Sequence, residues 1–294
     1  MAIALRRSSP VTVVAAALAV FGPLALSGCA PSASNDGSQS AAAPVVSAVS
    51  PASGPIAAGA TVTITGENLD DVTRVTFAGV GATSVTVVSD TEVSAVAPVA
   101  AEYAVGAQEV DVFAGDTVVA ADDTRLAYTR EVTTPVDAQL AYAFAHWAPE
   151  TYNLATYGEF NSVGGDCMNF VSQTLAARGI PQTADWYFTS LSDYSGSWIY
   201  TPSFDEYLNA HPETGFTRLS IEQRDQAEVG YLVLFSWSGV GSPDHIQVIS
   251  DIRVVDGVTK ILMVGHNLDS NWRDLDETIT VDHPGAKAWF WKVP

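Results

Sequence analysis

The chain has 294 residues, with 13 Lys and Arg against 33 Asp and Glu, and a formal net charge of −20 at pH 7. This length suits two modest domains. Because so acidic a surface repels phosphate groups, the composition argues against nucleic acid and anionic lipid headgroups as partners.

The first 28 residues predict an export signal. Arg6 and Arg7 supply a basic start, and the apolar run that follows is too short for a comfortable membrane span. The run ends in Leu26-Ser27-Gly28-Cys29, which resembles a bacterial lipobox. This resemblance implies cleavage before Cys29, a palmitate-type lipid on Cys29, and a lipoprotein anchored to the cell membrane that faces the exterior. The alternative is an ordinary signal peptide with an incidental cysteine.

Residues 29–43 are predicted to be a flexible tether. The stretch is rich in Ser, Ala, Gly, Asn and Pro, and it has almost no bulky apolar side chains to bury. A lipid on Cys29 would leave Cys167 without a disulfide partner, since the sequence has two cysteines. An unpaired cysteine in an exported protein is either buried and inert or kept for its chemistry.

Residues 44–129 consist of short β-type runs separated by turn residues, a pattern that predicts an all-β sandwich. The predicted strands are residues 61–65, 72–77, 84–88, 92–95, 109–113 and 126–128. The run Thr61-Val62-Thr63-Ile64-Thr65-Gly66-Glu67-Asn68 and the earlier Ser50-Pro51-Ala52-Ser53-Gly54 resemble the immunoglobulin-like IPT/TIG family. That resemblance implies a spacer or binding module, with its ligand left open.

Residues 130–136 are predicted to be a linker, and the composition changes after them. All seven tryptophans lie beyond Asp137. Residues 138–145 predict one helix, and a second begins near Asp166 and ends at Gly179. A long irregular stretch is expected next, followed by strands at 230–237, 245–255, 258–266 and 287–293. Helices first and a sheet later predict an α+β domain over residues 137–294.

Cys167 follows Gly164-Gly165-Asp166 at the start of the second predicted helix. Two glycines permit a tight turn, and Asp166 is expected to cap the helix. In the first turn the helix dipole favours a thiolate with a depressed pKa, and free N–H groups there stabilise an oxyanion. The alternative interpretation of Cys167 is a small buried apolar residue.

A cysteine nucleophile needs a histidine as base, and the chain has five histidines. His245 is the predicted base, because it begins a strand directly after a loop rich in Gly, Ser and Pro. His146 is expected to be structural, and His211 and His283 to lie in loops.

The strand hairpin around Asp256-Gly257 suggests a third member of the site. A two-residue turn would place Gln247 opposite His266, so that His266 lies diagonally next to His245 on one face. A three-residue loop would shift the register by one and place Asn267 there instead. Asn161 and Tyr157 are weaker candidates for a second oxyanion donor. We expect no metal and no cofactor, since no metal-ligand spacing or phosphate-binding loop is present.

The segment from Ala138 onward resembles a bacterial amidase domain family of papain-like folds. The matching motifs are Gly165-Asp166-Cys167-Met168-Asn169-Phe170, Ser197-Trp198, Asp244-His245-Ile246-Gln247 and Gly265-His266-Asn267. The resemblance implies a Cys167–His245–His266 triad that hydrolyses amide bonds, with cell-wall peptides as substrates. Gly230-Tyr231 departs from the usual Gly-Asp of the family at a strand entry.

Three alternatives stay open at this point. The same triad would serve an acyltransferase of the transglutaminase type. The domain would otherwise be an inactive cell-surface binding module, or its thiol a redox or adhesion site. Four aromatic residues are expected either to line a substrate cleft or to fill a core. They are Trp186, Tyr187, Tyr194 and Trp198.

Overall fold

The alternating β-type runs of the first third form short strands in a computed structural model that describes residues 42–57, 59–121, 126–267 and 269–294. The predicted signal, Cys29 and nearly all of the tether lie outside the described residues. The strands are β1 (Val45–Ser50), β2 (Ser53–Pro55), β3 (Thr61–Glu67), β4 (Val72–Phe77), β5 (Val80–Gly81), β6 (Ser84–Ser89), β7 (Glu92–Val96), β8 (Gly106–Ala114), β9 (Thr117–Val118), β10 (Ala120–Ala121) and β11 (Ala127–Glu131).

These strands form two sheets that enclose one apolar core. One sheet has the order β10-β1-β3-β7-β6, and the other has the order β2-β11-β8-β4-β5 with β9 beside β8. Alternate residues of β3 and β4, among them Ile64 and Phe77, are fully buried between the sheets. The predicted all-β architecture is therefore confirmed.

The remaining two thirds of the chain combine helices with a second set of strands. The helices are α1 (Pro135–His146), α2 (Leu154–Tyr157), α3 (Cys167–Arg178), α4 (Gly196–Ile199), α5 (Thr201–Ala210) and α6 (Leu275–Glu277). The strands are β12 (Phe188–Ser190), β13 (Asp193–Tyr194), β14 (Thr217–Ser220), β15 (Leu232–Ser236), β16 (His245–Val255), β17 (Val258–Gly265), β18 (Ser270–Asp274) and β19 (Lys287–Lys292).

The second domain is built on a six-stranded antiparallel sheet of order β14-β19-β15-β16-β17-β18. Helix α3 lies on one face, where Phe170 and Val171 share a core with Ile246 and Val248. Ile249 of β16 points to the opposite face and packs in a separate core with residues of β15, β17 and α6. This arrangement confirms the predicted α+β class.

Two predictions about local structure are wrong. The stretch expected to be irregular contains α5, which is buried through Phe204 and Leu208. Asp166 makes no side-chain capping bond to α3. Its carboxylate instead accepts hydrogen bonds from the Phe160 backbone N–H and the Asn169 amide. The end of α3 is as predicted, because Gly179 adopts a left-handed conformation with φ 91°.

The hairpin of β16 and β17 decides which residues face one another at the site. Val255 pairs with Val258 across the Asp256-Gly257 turn, as predicted. Ser250, however, has no paired residue in β17. The register beyond it shifts by one residue, so that Val248 pairs with Val264. The expected pairing of Gln247 with His266 is therefore wrong, since Gln247 lies against Gly265.

The sandwich packs directly on the second domain. Only residues 132–134 separate β11 from α1. The Asp137 carboxylate accepts a hydrogen bond from the Ala57 N–H at 2.7 Å, and Ile56 and Tyr103 belong to the core beside α3. In the part of the chain that the structure describes, no helix is long and apolar enough to cross a membrane.

Candidate active site

Cys167 is the first residue of α3, at the end of a glycine turn. Gly164 and Gly165 have φ values of 125° and 122°, which favour glycine. The Cys167 side chain is 8% exposed, and its Sγ lies 3.6 Å from the Thr201 hydroxyl of α5. Sequence reasoning placed the cysteine correctly at the helix start and missed Thr201, which belongs to the stretch expected to be irregular.

Burial controls the ionisation of this thiol. Burial raises the pKa of Cys167, and the carboxylate of Asp166 acts in the same direction. The Thr201 hydroxyl and the N–H groups of Ile246 and Met168 lower the pKa by a smaller amount. The predicted depressed pKa is therefore wrong for this conformation, in which the thiol holds its proton at neutral pH.

His245 begins β16 and is covered by aromatic rings. Its imidazole stacks on Trp237 with ring centroids 5.5 Å apart, and the residue is 4% exposed. Burial, together with electrostatic repulsion from Arg273 and His283, lowers the pKa of His245 to about 3. Among the described residues, Nε2 has no hydrogen-bond partner. A neutral imidazole of this kind has a nitrogen free to exchange a proton with a reacting group.

A cleft brings the cysteine and the histidine together. Cys167, His245, Asn161 and Asn267 all line it, with Trp237 and His283 among the other residues of its wall. Cys167 also lines a second cavity, together with Thr201 and Ser242. Two cavities therefore meet at Cys167.

His266 does not join this group. Its Nδ1 lies 2.6 Å from Asp166 Oδ2, and its Nε2 donates to the His146 carbonyl oxygen at 2.8 Å. The ring is stacked between Tyr152 and Phe170. Since both ring nitrogens are engaged on the α3 side of the sheet, the prediction that His266 orients His245 is wrong.

Asn267 lies beside Cys167, although the expected three-residue loop is absent and the register shift comes from the bulge at Ser250. Its Oδ1 accepts hydrogen bonds from the backbone N–H groups of Asp166 at 2.5 Å and Cys167 at 2.8 Å. A Cβ on Gly165 would lie 3.0 Å from the same oxygen, so glycine lets this contact form. Asn267, the alternative third residue, thus lines the cleft with Cys167 and His245.

The two expected oxyanion donors have different positions. Asn161 lines the cleft, and its Oδ1 accepts a hydrogen bond from Asn267 Nδ2 at 2.5 Å. Tyr157 packs against Phe188 and Trp198 and is not among the residues that line the cleft.

Trp186 and Trp198, two of the four aromatic residues expected either to line a cleft or to fill a core, fill the core beneath α3. The Trp186 indole donates to Ser172 Oγ at 3.1 Å, and the Trp198 indole donates to Asn169 Oδ1 at the same distance. These bonds fix the helix that carries Cys167. Within the described residues, no group of three or more His, Cys, Asp or Glu side chains is placed to hold a metal ion.

Comparison with family models identifies both domains. A model described as "Putative amidase domain" matches residues 135–291. The chain belongs to this amidase family. A second model, the IPT/TIG domain, matches residues 44–128 and so covers the sandwich that precedes the amidase domain. A search of curated proteins found no match.

Three solved structures show weak similarity to parts of this amidase-family chain. The Plexin A4 extracellular region is 22% identical over 29% of this chain and 7% of its own, with a TM-score of 0.24. An auxiliary nutrient binding protein from Bacteroides ovatus is 22% identical over 31% of this chain and 20% of its own, with a TM-score of 0.20.

The third structure is SGBP-B of a Bacteroides ovatus mixed-linkage glucan utilization locus, solved with a mixed-linkage heptasaccharide. It is 14% identical over 85% of this chain and 53% of its own, with a TM-score of 0.26. The chain thus spans about half or less of the length of these three structures.

Proposed function

We propose that residues 137–294 form a papain-like cysteine hydrolase that cleaves amide bonds. The observation that carries the proposal is the cleft in which Cys167, at the start of α3, meets His245, at the start of β16. A thiol at a helix N-terminus and an uncharged imidazole are the two groups that thiol-based acyl transfer needs. Membership of the amidase family supports an amide as the bond attacked.

In the first half of the reaction, His245 takes the proton of the Cys167 thiol. The thiolate attacks the amide carbonyl carbon and forms a tetrahedral oxyanion. When the C–N bond breaks, the imidazolium of His245 gives its proton to the leaving amine, and a thioester remains on Cys167. Both groups start uncharged in the buried site, so substrate binding must accompany the proton transfer.

The backbone N–H of Cys167 is the proposed oxyanion donor. In this structure it donates to Asn267 Oδ1. A substrate oxygen would take the place of Asn267 Oδ1 on this N–H and would find a donor already fixed by the helix. Asn267, rather than His266, is then the third polar residue of the site.

In the second half, His245 removes a proton from water, and the hydroxide attacks the thioester. Release of the carboxylic acid returns the proton to Cys167. Peptides derived from the cell wall are the proposed substrates, and a lipid on Cys29 would place the enzyme at the outer face of the membrane. Mass spectrometry of the exported protein tests the lipid directly.

The test of the function is hydrolysis of a panel of peptide amides by the full chain. We expect equal amounts of free amine and free acid from the wild type, and a loss of about a thousandfold or more in Cys167→Ala and His245→Gln. His211→Gln, a change outside the cleft, is the matched control. Activity that survives Cys167→Ala would refute the proposal.

The same assay separates hydrolysis from acyl transfer. With an added primary amine, a hydrolase still releases the free acid, whereas a transglutaminase-type enzyme forms the new amide. Addition of labelled water should place one heavy oxygen in the acid product.

A further inference from the structure

Ser250 of β16 has no paired residue in β17, and its backbone carbonyl makes a contact outside the sheet. Ser250 is fully buried, and it has no partner between the Ile249–Met263 and Asp251–Leu262 pairs. Its side-chain hydroxyl donates to the Asn271 carbonyl oxygen at 3.0 Å. A buried carbonyl outside the ladder needs a donor from elsewhere, or the bulge is unfavourable.

The donor comes from the sandwich. The Tyr103 hydroxyl donates to the Ser250 carbonyl oxygen. Tyr103 is 3% exposed, and its ring contacts Phe144 of α1 and Trp272 of β18. Burial raises the pKa of Tyr103, so the hydroxyl keeps its proton and remains a donor.

The backbone that presents Tyr103 is strained. Glu102 and Tyr103 have φ values of 49° and 52°, a left-handed conformation that is unfavourable for residues with a Cβ. Such a conformation persists where surrounding contacts hold it, and the ring contacts of Tyr103 with Phe144 and Trp272 lie in the other domain.

The bulge at Ser250 determines the composition of the site. Without it, the register at the turn would continue and set His266 opposite Gln247. With it, Gln247 lies against Gly265, and Asn267 lines the cleft with His245. The residue that shares the cleft with His245 is therefore fixed by one extra residue in β16.

We propose that Tyr103 is a positioning residue of the amidase site, through which the IPT/TIG domain holds the β16 bulge and the register at His245. This inference deepens the proposed function and rests on it for the effect on catalysis. Its structural part is that Tyr103 stabilises the β16 bulge, and this part does not depend on any substrate. The sandwich is then a component of the enzyme rather than a spacer alone.

The test compares Tyr103→Phe with Tyr128→Phe in the full chain. Both changes remove one hydroxyl from a buried tyrosine of the sandwich, but the Tyr128 hydroxyl has no hydrogen-bond partner among the described residues. In Tyr103→Phe we expect faster amide hydrogen exchange in residues 245–251 and a kcat lower by roughly tenfold, with KM little changed. Tyr128→Phe should change neither.

Two outcomes separate this inference from the proposed function. Unchanged exchange over residues 245–251 in Tyr103→Phe, with wild-type kcat, would overturn the inference and leave the hydrolase intact. Faster exchange in Tyr103→Phe, together with no Cys167-dependent hydrolysis in the wild type, would support the stabilisation of the β16 bulge by Tyr103 and refute the proposed amide hydrolysis. Tyr103→Ala provides a second variant, in which the exchange should rise further.

Discussion

Cys167 and His245 are uncharged neighbours in this structure because both side chains are withdrawn from water. Burial raises the pKa of the thiol and lowers the pKa of the imidazole to about 3. The same desolvation that suppresses the resting thiolate also strengthens every electrostatic contact that a bound substrate would make. Reactivity of Cys167 is therefore expected to depend on opening of the cleft or on substrate.

The buried imidazole also makes stability depend on pH. His245 binds a proton near pH 6.5 in the unfolded chain and near pH 3 in the folded one. Between these values the unfolded state binds more protons, so stability falls as the pH drops from 6.5 toward 3. His245→Gln should reduce this slope by up to about 1.4 kcal/mol per pH unit.

Urea unfolding at several values between pH 4 and pH 6.5 measures that slope. Cys167→Ala is the control, because it keeps His245 and should keep the wild-type slope. Equal slopes for the wild type and His245→Gln would show that His245 titrates normally in the fold.

At this scale the sequence predicted the positions of the candidate nucleophile and base from local signals. Gly164-Gly165 precedes Cys167 at the start of α3, and a loop precedes His245 at the start of β16, as predicted. The choice between His266 and Asn267 was not local. It depends on an unpaired serine five residues beyond His245, which no turn motif reveals.

At the scale of elements, α5 links the thiol to strand β19 of the sheet. Thr201 begins the helix beside Cys167, and Asp205, one turn later, reaches β19. Asp205 Oδ1 accepts hydrogen bonds from the Trp291 indole at 2.8 Å and the Trp289 indole at 3.2 Å. Arg218 lies 3.8 Å from the second carboxylate oxygen and is half exposed, so it adds little.

Asp205→Ala should lower the free energy of unfolding by about 2–4 kcal/mol, because it leaves two buried indole N–H groups without an acceptor. Chemical denaturation followed by tryptophan fluorescence measures the change. The neighbouring Glu206 is exposed, and Glu206→Ala should stay within about 0.5 kcal/mol of the wild type. Equal stability of the two variants would mean that water accepts the hydrogen bonds of the two indole N–H groups when Asp205 is removed.

The elements with strong periodicity were predictable, and α5 was not. Strands β15, β16, β17 and β19 are continuous apolar or alternating runs bounded by turn residues, so each was found within about two residues of its observed limits. Helix α5 contains Thr, Pro, Ser, Asp and Asn in ten residues, and these residue types favour turns over helices. Its buried contacts with the core, rather than its propensity, stabilise it as a helix.

At the scale of the molecule, Asp137 joins the two domains. Its carboxylate accepts hydrogen bonds from Ala57 of the sandwich and from Thr133 and Thr134 of the connection. Burial alone would raise the pKa of Asp137, but these hydrogen bonds outweigh it and lower the pKa below the ordinary 3.8. The charged carboxylate is therefore bound more tightly in the folded chain than the protonated form.

The tryptophans give this junction a convenient test. All seven lie beyond Asp137, so their fluorescence reports on the amidase domain, whereas far-UV circular dichroism reports on the sandwich as well. In the wild type at pH 7 we expect the two urea curves to coincide, because the domains share a core through Ile56 and Tyr103. In Asp137→Ala the curves should separate, with a loss of about 1.5–3 kcal/mol from the charged hydrogen bonds.

The pH dependence strengthens that test. A group with a lowered folded pKa stabilises the fold above its unfolded pKa, and the stabilisation is lost as the pH falls below 3.8 toward the folded value. The difference between wild type and Asp137→Ala should therefore shrink at acid pH. Glu131→Ala, an exposed change at the end of β11, should leave the curves coincident. If Asp137→Ala also left them coincident, the apolar contacts of Ile56 and Tyr103 would suffice to couple the domains.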